Sequence, residues 1–380
     1  MKIAPLKSVE CALLHDQFLP VDGRDLFDIV SKAVSKSGIS SQISRIPTSD
    51  EHVHVLAGGY HILVSQNRVP LAAEGFVGCL SLPITNMMMS DAAARVSRHR
   101  ANTFVTIGKG TLPGANNIPF VSQIMGDQFS FTEWREAERA MKLCYAISRA
   151  VMKAGKVSCV HWCASDHLVS PEFFAEVEHG PSMTPLYVRP YLFSSVGHLR
   201  SGMPVGMVGN GAQYLIGRPV VFNQASVDLD WMIARVANFV DMCHLRGSVI
   251  PDGDSLGADP SEVIVVRHVA PTQDQPLGSY ELTAQRVAKF GIDSPQVRPQ
   301  SQVYYDPRKD PVTGESRQLD PNDPIDRAIM ARLEERQRLG LDKADEPQSL
   351  DRRATDRPVQ QNGSDAGAFG RRSTAFGKRQ

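Results

Sequence analysis

The chain has 380 residues, with 41 Lys plus Arg against 41 Asp plus Glu and 42% hydrophobic residues. That length allows two or three domains at about 100–200 residues each. Zero net charge argues against a dedicated nucleic-acid binder, which would be basic, and against an acidic, self-repelling disordered chain.

The chain starts MKIAPLKSVECALLHDQF, where Lys7 and Glu10 break the first apolar stretch and His15 and Asp16 close the run 11–14. An export signal needs about 7–15 uninterrupted apolar residues, and a spanning helix roughly 20. Neither pattern occurs, so a soluble, unexported cytoplasmic protein is expected. The six cysteines, at 11, 79, 144, 159, 163 and 243, are sparse for a disulfide scaffold. Most lie in apolar runs, as buried reduced thiols do.

Residues 9–14 read as a short strand. Helix 25–36 follows, with Leu26, Ile29, Val30 and Ala33 on one face and Gly38 just past its end. Three strands are expected at 42–46, 52–57 and 60–65, with Gly58-Gly59 as a hairpin turn. A helix capped by Ser90 or Asp91 runs to Arg98, then a strand at 103–107. This order resembles a split βαβ, ferredoxin-like layer.

Thr132 is a candidate N-cap for helix 133–154, whose stripe is Ala137, Ala140, Met141, Cys144, Ile147 and Val151. Strand 157–163 and a helix from Pro171 to Val177 capped by Ser170 come next. Residues 186–196 and 212–222 read as β, the latter kinked at Gly217-Arg218-Pro219. Helix 227–243 carries Trp231, Val236, Phe239 and Val240, and 262–269 reads as the last clean strand.

After about residue 292 Pro, Asp, Arg and Gln dominate. A short amphipathic helix is expected at 324–338, with Ile325, Ile329 and Leu333 every fourth residue, too short to fold alone in water. From 342 onward the composition is that of a disordered tail. Its end repeats Ala-Phe-Gly-Arg/Lys-Arg around Phe369, Arg371, Arg372 and Phe376, Lys378, Arg379. The last fifteen residues hold four bases and no acid, so residues 1–365 are net −4. The repeat reads either as a peptide motif for an acidic partner groove or RNA, or as a basic tail that aids solubility.

The densest set of ligand-type residues is Cys159, His161, Cys163 and His167, with His179 further on. Cys-x-His-x-Cys on a strand spaces its ligands about 6–7 Å apart, too far for one tetrahedral ion. Ser165-Asp166-His167 offers nucleophile, acid and base, but triads converge from distant positions. The glycines at 202, 206, 209, 211 and 217 lack dinucleotide-loop spacing and fit a bulged strand connection better. Residues 252–257 fail the calcium-loop pattern at Leu256. Met87-Met88-Met89 reads as adaptable core or loop filler. No catalytic, cofactor or metal residue is assigned.

The strings SCVHWCASDHLVSPEFF, YLIGRPVVF and VIPDGDSLGADPSEVIVV, over roughly 130–270, resemble the bacterial domain-of-unknown-function 4261 family. The shared features are His161-Trp162 at a strand end, Ser170-Pro171 opening a helix, the Gly217-Arg218-Pro219 turn and the Asp252-Gly253-Asp254 turn. Val220 stands where the family often has Glu. The resemblance implies a compact α+β domain in bacterial cytoplasm and carries no catalytic residues.

The expectation is therefore an α+β protein of mixed or antiparallel sheets with packed helices, in two ferredoxin-like layers. Subdomains are placed at 1–125 and 126–292, with a largely disordered tail at 293–380. A non-catalytic interaction or adaptor protein is expected, contacting a protein partner through the arm, with nucleic acid reachable only by the basic tail. The alternative is a hydrolase-type site near His161, Asp166, His167, Asp252 and Asp254.

Overall fold

The computed structural model describes residues 1–18, 20–39, 43–46, 51–110, 126–194, 204–273, 275–294 and 302–303, with 321 and 330 singly. All but the excluded positions of one unit, Met1–Ala331, are thereby covered, and residues 332–380 lie outside the described set. The arm and tail residues Ile325, Ile329, Leu333, Phe369, Arg371, Arg372, Phe376, Lys378 and Arg379 also lie outside it.

In chain order the strands are β1 (Lys2–Leu6), β2 (Ser8–His15), β3 (Ser44–Ile46), β4 (His52–Ala57), β5 (Tyr60–Asn67), β6 (Ala101–Lys109), β7 (Phe131–Glu133), β8 (Cys159–Trp162) and β9 (His167–Val169). They continue with β10 (Arg189–Phe193), β11 (Val205–Asn210), β12 (Val220–Ala225), β13 (Ser255–Leu256), β14 (Glu262–Val269), β15 (Ser279–Val287), β16 (Ile292–Asp293) and β17 (Gln302–Val303). The long helices are α1 (Gly23–Lys36), α2 (Trp134–Ala154) and α3 (Leu229–Arg246).

The fold is α+β. The first sheet is antiparallel throughout, in the order β3-β4-β5-β6-β2-β8-β9. The second is mixed, β10-β11-β12-β15-β14-β13-β17 with β16 on β15, and β12 runs parallel to β15. A small β1–β7 pair stands apart.

Neither layer is ferredoxin-like, which corrects that expectation. A split βαβ has one strand between its two parallel strands. Here α1 carries the chain from β2 to the far edge at β3, and β4, β5 and β6 return as a meander to fill the gap. In the second sheet α3 does the same between β12 and β13, with β15 and β14 between them. Strands β8 and β9 add to β2, so the boundary expected near residue 125 does not divide the layers.

Period-two alternation in β2 explains why the first sheet is covered on both faces. Val9, Cys11 and Leu13 join the main core with α1 and α2, while Ala12 and Leu14 join a smaller core under the short helices between 73 and 98. Asp22 caps α1 by accepting from the Arg24 amide, and Leu26, Val30, Ala33 and Val34 form its buried stripe. Helix α2 buries Ala137, Ala140, Met141, Cys144, Ile147 and Val151. Each large apolar side chain among them contributes about 1.5–3 kcal/mol by leaving water. The main core continues without a break into the second sheet through Val220, Phe222, Phe239 and Leu282.

Several boundaries differ from expectation. Thr132 is not the cap of α2: Glu133 holds that position, without a side-chain bond. Residues 212–222 are not one kinked strand: Gln213–Ile216 is a helical turn ended by Gly217 at φ 92°, and β12 starts after it. Nor is 262–269 the last long strand, because β15 follows and pairs with it along its length.

Candidate functional site

Trp162 ends β8 and is completely buried, its ring 5.2 Å from that of Tyr187. The chain then turns through Cys163–Ser165 into Asp166, at φ 54° the one described non-glycine residue in the left-handed region. Asp tolerates this conformation better than most residues, and such strain concentrates where surrounding contacts fix it. The fixing contacts come from both sheets. Asp166 Oδ1 accepts from His161 Nε2 at 2.9 Å, and Asp166 Oδ2 accepts from Arg189 Nη1, also at 2.9 Å. Asn210 donates to the Ser165 carbonyl at 3.1 Å, tying β11 to the same turn. A Cβ at Gly78 would sit 2.9 Å from Asp166 Oδ2, so a larger residue there would push on this carboxylate.

Cys79, His161 and Asp166 bring one ligand atom each within 4.8 Å of one another. That spacing suits a small cation, but their chemistry is already committed. Both Asp166 oxygens are engaged, and Arg189, its side chain 9% exposed, brings a fixed positive charge. Burial alone would raise the Asp166 carboxyl; the His161 hydrogen bond and the Arg189 charge outweigh this and hold it below its ordinary value. Burial pushes the Cys79 thiol up to about 11, and it donates to the Phe76 carbonyl at 3.2 Å. A divalent ion would have to displace Arg189 and deprotonate Cys79. The cluster works as a bridge between the sheets.

The ligand-rich string at 159–167 separates accordingly. Cys159 packs in the smaller core, Cys163 leaves the strand, and its thiol lies 3.8 Å from His161 Nδ1. Burial raises Cys159 to about 12 and Cys163 well above the ordinary thiol value. All six cysteines are unpaired. His179 is exposed beside Glu178. Ser165, Asp166 and His167 form no relay: Ser165 Oγ is buried without a partner, Asp166 bonds His161, and His167 Nδ1 lies 3.2 Å from the Leu186 carbonyl. Asp252 accepts from the His268 amide at 2.7 Å, and the Asp254 carbonyl accepts from Val266, both in the second sheet. The residues of the hydrolase alternative therefore stand on different sheets with different partners.

Next to the bridge is a cleft of about 340 Å³. The helix Pro83–Met88, strand β9, the helix Thr184–Tyr187, strands β10 and β11, and α3 all contribute to its wall. Met87 and Met88 are exposed, at 64% and 43%, while Met89 is buried in the smaller core. The methionine run is thus divided between surface and core: Met89 packs in the core, and Met87 and Met88 face outward. Ile84, Val188 and Ile233 continue the apolar wall, and His167, Thr184 and Asp230 are its polar or charged side chains. Comparison with protein families, with curated proteins and with solved structures finds no match to this chain.

Reasoning from sequence missed Cys79 and Arg189. Arg189 did carry a signal: it is a lone charge inside the apolar run 186–193. Cys79 carried none, because its cluster partners His161 and Asp166 come from more than 80 residues away. No described helix is long and apolar enough to cross a membrane.

Proposed function

We propose that this chain is a non-catalytic binding or adaptor protein of the bacterial cytoplasm, which holds another molecule against the cleft beside β9. The observation that carries the reading is the methionine-walled cleft. Exposed methionines are adaptable, polarisable contacts suited to binding surfaces. By contrast, the nearby acid accepts hydrogen bonds from the imidazole and the guanidinium, which commits both of its oxygens. Six unpaired cysteines, five of them buried, support a reducing compartment. The bacterial setting rests on the resemblance to the domain-of-unknown-function 4261 family.

In this reading the arm around Ile325, Ile329 and Leu333 contacts a protein partner, since short amphipathic segments commonly bind as helices in grooves. The repeats around Phe369, Arg371, Arg372, Phe376, Lys378 and Arg379 supply the basic contact. Affinity capture from the source cells with the full chain and with an I325E/I329E/L333E full chain tests the arm. Loss of a partner from the variant supports its role, and identical partner sets overturn it.

A further inference from the structure

Among the described residues His167 is the one polar side chain that a strand contributes to the cleft, and its chemistry is fixed by what it already touches. The imidazole is 2% exposed, with Nδ1 3.2 Å from the Leu186 carbonyl. A carbonyl only accepts, so Nδ1 carries the proton and Nε2 presents a lone pair. Among the described residues Nε2 has no hydrogen-bond partner. Burial, the largest influence, lowers the imidazole to about 4, so the ring is neutral at pH 7.

The other polar groups of the wall have the same sense. The Thr184 hydroxyl donates to Asp241 Oδ1, which leaves its oxygen as an acceptor. Asp230 is an exposed carboxylate. Among the described residues no Lys or Arg lines the cleft. The wall therefore offers acceptors and negative charge inside an apolar shell, and nothing that would hold an anion. Its volume falls at the lower end of small-ligand pockets, about 300–1,000 Å³. That is room for one or two rings.

Resting on the reading of the cleft as a binding surface, we infer that it takes a small apolar molecule with one neutral hydroxyl, which donates to His167 Nε2, and that it rejects anions. Met87 and Met88 fold over the apolar body, and Ile84, Val188 and Ile233 seat it. A site built to accept a hydrogen bond discriminates against an analogue without the donor, because the buried lone pair is then left unpaired.

The test is a fluorescence titration of the full chain at pH 7.5 with 2-naphthol, 2-methylnaphthalene and 2-naphthoate. The three share a ring system and differ in donor, methyl and anion. Naphthol is expected to bind about tenfold tighter than methylnaphthalene, a ratio that follows from one lost hydrogen bond, and naphthoate more weakly still. H167F keeps a ring and removes the acceptor, so it should bring naphthol and methylnaphthalene to equal affinity. M87E/M88E lies on the exposed wall, does not depend on His167 for folding, and should weaken both. If none of the three binds, the reading of the cleft as a binding surface fails. If naphthol and methylnaphthalene bind wild type equally, or naphthoate binds as tightly as naphthol, the binding surface stands and the ligand class is overturned.

Discussion

Asp166 and His167 are neighbours in the chain and serve opposite ends. Asp166, held in a left-handed turn, directs its two oxygens at His161 and Arg189, one from each sheet, and closes the seam between them. His167, one residue further along on β9, has one nitrogen satisfied and lies against the apolar cleft. A dense group of acids, bases and thiols is the usual place to look for chemistry. Here the acid of that group is paired on both oxygens and acts as a fastener, while His167 shares an otherwise apolar wall with Thr184 and Asp230.

This contrast is open to attack at several points. The largest effect concerns His167. Its folded value of about 4 lies below the ordinary 6.5, so between these values the unfolded chain binds a proton that the folded chain does not. Stability should therefore fall as pH drops from 6.5 towards 4, by up to about 3 kcal/mol for this group, at 1.36 kcal/mol per unit. His15, His54 and His61 are also lowered by burial and add to the same slope. Urea melts at pH 7.5, 5.5 and 4.5 check this, and H167F should flatten the slope by its share. An unchanged slope would mean that the ring charges freely in the fold.

The fastener should break asymmetrically. D166A strands Arg189, whose side chain is 9% exposed, and should cost about 2–3 kcal/mol in urea melts at pH 7. R189M strands an Asp166 that is 34% exposed, and water there limits the loss to about 1 kcal/mol. Equal losses from the two variants would contradict the assignment of Arg189 as the buried partner. Smallest of all, M87E/M88E should change stability by less than about 0.5 kcal/mol, because both side chains already face solvent. A large loss there would make the methionines core and remove the wall from the cleft.

What the sequence reveals follows from how local each feature is. The stripe of α2 and the β-branched run of β14 are carried by neighbouring residues, and both elements lie where the pattern puts them. Strand β15 was hidden because its buried positions include Ser279 and Gln285, so its hydropathy does not alternate. The run Gln213–Ile216 is as apolar as a strand, and only Gly217, in the left-handed region, marks a helical end. The cleft draws its wall from seven elements, the helix Pro171–Glu176 with Phe173 among them, spread between residues 84 and 237, and no local window contains it. His167 was legible as a candidate, but the partner expected from adjacency, Asp166, belongs to the bridge.

The most direct measurement is nitrogen NMR of the full chain labelled with 15N-histidine, recorded at pH 7.5 before and after addition of 2-naphthol. The prediction is a lone-pair-bearing Nε2 at His167 that shifts as the hydroxyl donates to it, with the His161 ring nitrogens unmoved. A proton already on His167 Nε2, or a naphthol response at His161 and none at His167, would contradict the account.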